Sequence, residues 1–271
     1  MIKDGMFFEK YQTTVEEKKS IININLDPAL PSQRKNFVIP NKYLVGDDSD
    51  TLLNFSLDTI ENVSDYCCSI KPNLQYFLSD TKLLRKIVAR IHDEGMIAIL
   101  DHKLNDISST NDSAVYWISE MKFDAFTFSP FVGNMKAVIE NAHVKDLGVI
   151  VWTLMSNAEA EKIIIETKVD GIPFYQSIAN EVKERNADGC VVGLTGFIKK
   201  EYIRTIQNTI GENKVFLFQG IGPQGGNEVD LEKVKIVANP LVSLGREVIF
   251  SENVKESVKR YCDLLNKVRK T

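Results

Sequence analysis

The chain has little of what would mark a metal centre, a disulfide frame or a nucleic-acid surface. It contains three histidines and four cysteines. The cysteines, Cys67, Cys68, Cys190 and Cys262, show no CxxC spacing, so neither a structural zinc site nor a disulfide scaffold is expected. Cys67 and Cys68 fall in an apolar run and read as buried, reduced thiols. A formal charge of −4 gives no broad basic footprint for nucleic acid or an anionic membrane. No apolar stretch approaches the roughly 20 residues of a membrane span. The N-terminal stretch places Asp4 and Glu9 around Phe7 and Phe8, unlike a secretory leader. No GxGxxG loop follows the first strand, which weighs against a dinucleotide-binding doubly wound sheet. What remains is an ordinary soluble composition, 44% hydrophobic and 26% charged over 271 residues, with the cytoplasm as the expected compartment.

What is present is an alternation of short apolar strands with helical stretches. Candidate strands are Ile21–Asp27, Cys67–Lys71, Ile97–Asp101, Ala125–Phe128, Gly148–Thr153, Gly189–Gly193, Val215–Phe218 and Pro240–Gly245. Helical periodicity fills the gaps, as in Leu83, Leu84, Ile87, Val88 and Ile91 before Gly95. Strands alternating with helices imply βαβ units and a parallel sheet. Eight of them predict an α/β fold of the (β/α)8 TIM-barrel type rather than an open sheet. Phe7, Tyr11 and Val15, four residues apart, predict an extra N-terminal helix packed on the barrel. The connection from Pro28 to Asp50 holds Pro31, Pro40 and Gly46, and reads as an irregular excursion before a helix near Thr51–Val63. With no repeat and no linker, residues 1–271 are expected to form a single domain.

Barrel enzymes place their chemistry at the C-terminal ends of the strands. Read that way, strand one ends in Asp27, strand two in Lys71, and strand three in Asp101 followed by Lys103. Residues two apart on a strand can share a face. Asp106 follows at the mouth of the next helix, where it could equally act as a helix cap. A strand-end Asp or Lys standing alone is more often solvated or capping than catalytic, and a bare DxKxxD run is weak. A second group lies farther on. The stretch Gly220-Ile221-Gly222-Pro223-Gln224-Gly225-Gly226 follows strand seven, and Gly245-Arg246 closes strand eight. Barrels often hold phosphate at these two loops. Glycines let backbone amides approach an anion and arginine can clamp it bidentately. Such a stretch can also be a simple turn, but Arg246 at the neighbouring strand end favours an anion site. His102 should face away from the site. His92 and His143 read as surface residues, and Trp117 and Trp152 as packing.

Taken in order, several pieces resemble the orotidine 5′-phosphate decarboxylase family, in its longer branch, from about Ile21 to Ser251. They are Leu26-Asp27-Pro28, Ile70-Lys71-Pro72-Asn73, Ile99-Leu100-Asp101-His102-Lys103 with Asp106-Ile107 and Thr110, Ser129-Pro130, Val191-Val192-Gly193 with Thr195, Gly220 to Gly226, and Gly245-Arg246. The resemblance implies decarboxylation of orotidine 5′-phosphate to uridine 5′-phosphate in pyrimidine biosynthesis, with no cofactor and no metal. Lys71, Asp101, Lys103 and Asp106 match the family's alternating array. By that likeness Lys103 delivers a proton to the carbon that loses carbon dioxide, Asp101 sits beside the substrate carboxylate, and Lys71 holds the array. Asp106 and Thr110 reach the neighbouring subunit's site, which implies a homodimer. Asp27 binds ribose, Ser129 and Pro130 meet the pyrimidine, and Gln224, Gly225, Gly245 and Arg246 take the phosphate.

The chemistry is coherent. Loss of carbon dioxide leaves a carbanion that cannot delocalise, so a positioned cation must stabilise charge as it develops. Opposite charges nearby favour the ionised form of each group, and binding energy from a remote phosphate can be used in the transition state. Some positions depart from the family pattern. Gln219 stands where proline is usual, Asn227 where Asp is usual, Leu104-Asn105 where Arg-Gly is usual, and His102 replaces a small residue. Three rivals remain. A magnesium-dependent sugar-phosphate barrel, such as a keto-gulonate-phosphate decarboxylase or hexulose-phosphate synthase, places an acidic ligand where this chain has Lys71, and a cation there repels magnesium. A non-catalytic nucleotide binder does not need four alternating charges. A Schiff-base aldolase needs an unprotonated lysine, which carboxylates oppose.

Overall fold

The computed structural model describes residues 6–155, 157–194, 198–221 and 228–270. Eight parallel strands close into a barrel in which each pairs with its neighbours in sequence. They are β1 Ile22–Leu26, β2 Ser69–Pro72, β3 Ile97–Leu104, β4 Ala125–Phe128, β5 Gly148–Leu154, β6 Gly189–Gly193, β7 Val215–Gln219 and β8 Pro240–Leu244. Most of their residues are buried, because a barrel strand packs its two faces against the interior and against the helices.

The helices are α1 Met6–Lys18, α2 Asp48–Val63, α3 Leu83–Asp93, α4 Ser108–Glu120, α5 Met135–Val144, α6 Phe174–Glu184, α7 Lys200–Ile210, α8 Arg246–Ile249 and α9 Val254–Lys270. Helix α2 starts three residues earlier than its apolar pattern predicts. Asp47 caps it by accepting from the Asp50 amide at 2.9 Å. Two crossovers are irregular. A π-helical turn at Glu161–Glu166 and a two-stranded hairpin at Lys168–Val169 and Ile172–Pro173 precede α6. A 3-10 helix at Glu228–Ile236 takes the place of an α-helix between β7 and β8. No described helix is long and apolar enough to cross a membrane.

Helix α1 closes the end of the barrel opposite the strand C-termini. Phe7, Tyr11 and Val15 are buried, and the Tyr11 hydroxyl donates to the Pro240 carbonyl at 2.8 Å. A Cβ on Gly148 would lie 2.5 Å from the Phe7 ring, so only glycine fits at the first position of β5. At this same end the histidines differ from the surface reading. His92 on α3 pairs with Asp124 at 2.9 Å, and Asp124 also accepts the Ala98 amide at 2.8 Å. His143 on α5 pairs with Asp188 at 2.9 Å, and Asp188 accepts the Val149 amide at 2.8 Å. Each Asp stands just before a strand and fastens it to the preceding barrel strand and to a helix. The four cysteines are all buried and none is in a disulfide.

Candidate active site

Strands β2, β3 and β4 converge on one carboxylate at the open end of the barrel. Asp101 forms ion pairs with Lys71 through Oδ2 and with Lys103 through Oδ1, the second at 2.6 Å. The Thr127 hydroxyl also donates to Asp101 Oδ1, at 3.0 Å. Burial alone pushes the Asp101 carboxyl up, but the Lys71 and Lys103 ammoniums outweigh it and hold the group well below the usual carboxylate range. The two lysines differ in access. The Lys71 side chain is 1% exposed and the Lys103 side chain 39% exposed. Lys103 can therefore meet a ligand at the mouth while Lys71 serves Asp101 from within.

The backbone that presents Lys103 is irregular. Register between β3 and β4 shifts between Leu100 and Leu104, and Lys103 has φ +53°, a conformation costly for a side-chain-bearing residue. The Lys103 amide is caught by Thr127 Oγ1 at 2.9 Å. This bulge re-aims the Lys103 side chain, as bulges beside functional sites commonly do. Its ammonium also lies 5.4 Å from the Trp152 ring centroid, a cation–π distance. The Trp152 indole N–H is buried without a hydrogen-bond partner among the described residues. Trp152 thus belongs to the site rather than to packing alone, whereas Trp117 is 55% exposed on α4, edge-on to Tyr116. His102 is partly buried between Asp101 and Lys103, and burial lowers the pKa of its ring.

Asp106 stands apart from this cluster. Its carboxylate is exposed and accepts the adjacent Ile107 amide at 2.8 Å, immediately before α4. Thr110 is exposed in the first turn of α4. Ser129 is buried at the end of β4, its amide bonded to the Leu104 carbonyl at 2.8 Å, and Pro130 opens the following 3-10 turn.

A second polar hollow lies across the mouth, between the ends of β1, β7 and β8. Asn25, Asp27, Gln219, Ser243, Gly245 and Arg246 line it. Asp27, at the end of β1, is partly exposed. The connection after β1 folds over this side. Arg34 donates to the Tyr76 hydroxyl at 3.0 Å and stacks on the Tyr76 and Phe250 rings, and Arg246 lies 5.8 Å from the Phe37 ring centroid. Gln224, Gly225 and Thr195 lie outside the described residues.

Sequence reading brought Lys71, Asp101 and Lys103 to one point and Gly245 and Arg246 to another; Asp27, expected at the ribose, lines the same hollow as that second pair. It passed over Thr127, Arg34 and Glu247, and took Trp152 as packing. Thr127 carried one usable signal, a lone hydroxyl in an otherwise apolar strand.

Together these features define a (β/α)8-barrel enzyme with a lysine–carboxylate centre and an arginine-bearing hollow opposite. The chain belongs to the Orotidine 5′-phosphate decarboxylase / HUMPS family, whose profile matches residues 48–261. Among curated relatives, an orotidine 5′-phosphate decarboxylase of Thermomicrobium roseum is 28% identical over 97% of this chain and 96% of its own length. One from a Nocardioides species is 27% identical over 76% of this chain and 80% of its own. The solved structure of Leishmania donovani OMP decarboxylase superposes with a TM-score of 0.78 at 18% identity, covering 98% of this chain and 99% of that one.

Proposed function

We propose that this chain is a carboxy-lyase that converts orotidine 5′-phosphate to uridine 5′-phosphate in pyrimidine biosynthesis, using neither metal nor cofactor. The observation that carries the reading is the Asp101 carboxylate held between Lys71 and Lys103 at the strand C-termini. The family match and the shared activity of the curated relatives supply its context.

In this reading the pyrimidine lies over Lys103 with its carboxylate against Asp101. As the bond to carbon dioxide breaks, the electron pair stays on the ring carbon. The Lys103 ammonium stabilises that charge and then gives it a proton. Lys71 is the inner counter-ion that keeps Asp101 in place. Asp27 takes the ribose hydroxyls, Ser129 and Pro130 meet the pyrimidine edge, and Gln224, Gly225, Gly245 and Arg246 hold the phosphate. Asp106 and Thr110, exposed beside α4, complete the neighbouring site in a homodimer. The reading takes residues 1–271 as one barrel domain working in the cytoplasm on a small nucleotide, not on nucleic acid or membrane.

Support for a metal-free reaction comes from what surrounds Asp101. Both its oxygens accept from ammonium or hydroxyl donors, and a lysine pair there opposes a divalent ion. The test is an absorbance assay of purified protein with orotidine 5′-phosphate after chelator treatment. Loss of orotate absorbance should continue unchanged. Activity that vanished with chelator and returned with magnesium would contradict the proposal.

A further inference from the structure

Glu247 has no part in the proposed reaction, yet it sits in the hollow proposed for phosphate. Its Oε1 accepts the Gly245 amide at 3.0 Å, the very donor that the reading gives to the nucleotide. Its Oε2 is buried without a hydrogen-bond partner among the described residues, and so is the Gln219 Nε2 atom that lines the same hollow. The space left is about 40 Å³, enough for only a few waters. A carboxylate on a backbone amide, next to an arginine, reproduces one edge of a bound phosphate.

We propose that Glu247 is an internal competitor for the phosphate, occupying the Gly245 amide in the unliganded protein and setting the affinity for phosphorylated ligands by having to yield it. The proposal rests on the nucleotide reading of the site. Phosphate and carboxylate are both acceptors and compete for the one N–H, and two anions brought together on it repel. Glu247 must rotate away or take up a proton before the phosphate settles. Burial already pushes its carboxyl up from the usual glutamate value, against the pull of the Gly245 amide and Arg246, so this carboxylate takes up a proton more readily than an exposed glutamate does. Among the described residues, the charged groups lining the hollow beside Glu247 are Arg246 on the same turn and Asp27 across from it. Strands β7 and β8 present Gln219 and Ser243 there, and from α9 the Ser257 hydroxyl donates to the Glu247 carbonyl at 3.4 Å. The plainer role for Glu247 is to tie down the first turn of α8 by bonding back to the residue before it. That role predicts no gain in binding when the carboxylate is removed.

Calorimetric titration of the full chain with uridine 5′-phosphate separates the two. At pH 8, Glu247→Ala should bind at least about tenfold tighter than wild type, a change of about 1.4 kcal/mol. Glu247→Gln, which keeps the shape and removes the charge, should shift in the same direction. The ratio of variant to wild-type affinity should shrink at pH 5.5; the nucleotide's own titration cancels in that ratio. Uridine, which lacks the phosphate, should bind all three chains alike. Wild-type binding of the nucleotide with neither variant improved, or an equal gain for uridine, overturns this proposal alone. No binding by any of the three chains overturns the nucleotide reading as well.

Discussion

The Thr127 hydroxyl donates to Asp101 Oδ1 at 3.0 Å while accepting the Lys103 amide at 2.9 Å. One buried oxygen therefore ties the central carboxylate to the strained backbone that aims Lys103. Thr127→Val keeps the shape and removes both bonds. Leaving the Lys103 amide unpaired costs about 1–3 kcal/mol, readable as a lowered midpoint in urea unfolding. The turnover number should fall by roughly tenfold or more, because small misplacements of reacting groups are costly, while KM changes little. A variant with wild-type turnover would show that Lys103 is positioned by Asp101 alone.

Asp101 gives the centre an acid sensitivity whose sign is fixed. Burial opposes its ionisation, but Lys71 and Lys103 outweigh burial and depress its folded value below 3.8. The folded chain thus holds this proton less tightly than the unfolded chain. The stabilisation is complete above about pH 4, the ordinary aspartate value, and is lost as pH falls through the folded value. Asp101→Asn should cost about 3–5 kcal/mol near neutrality, since it leaves the Lys71 ammonium buried without its counter-charge. The stability gap between wild type and this variant should narrow in denaturant titrations below about pH 4. A gap that stayed constant into strong acid would mean that Asp101 is not the source.

The barrel was legible because its signals are periodic. Apolar runs at regular spacing gave the eight strands, and four-residue spacing placed α1. Strand ends then placed Lys71, Asp101 and Lys103 together. Contacts that depend on geometry between distant elements were not legible. His92 and His143 looked solitary because Asp124 and Asp188 are 32 and 45 residues away in sequence. Each pair forms only when a helix end packs beside a strand start. The two crossovers around Glu161–Glu166 and Glu228–Ile236 depart from ordinary helices, a departure that apolar spacing does not carry. The bulge at Lys103 was hidden as well. Strict alternation put Asp101 and Lys103 on one face, but the register shift and the positive φ are set by packing against β4, through Thr127. Trp152 read as core because a tryptophan in an apolar strand usually is; only the closed barrel sets its ring beside Lys103.

The proposed reaction turns on the Lys103 ammonium, and Lys103→Ala is its sharpest test. Its effect is read by following orotate absorbance and, in the same preparation, the dissociation constant for uridine 5′-phosphate. Turnover should fall below detection while product affinity stays within a few-fold of wild type. Turnover near the wild-type rate would contradict it.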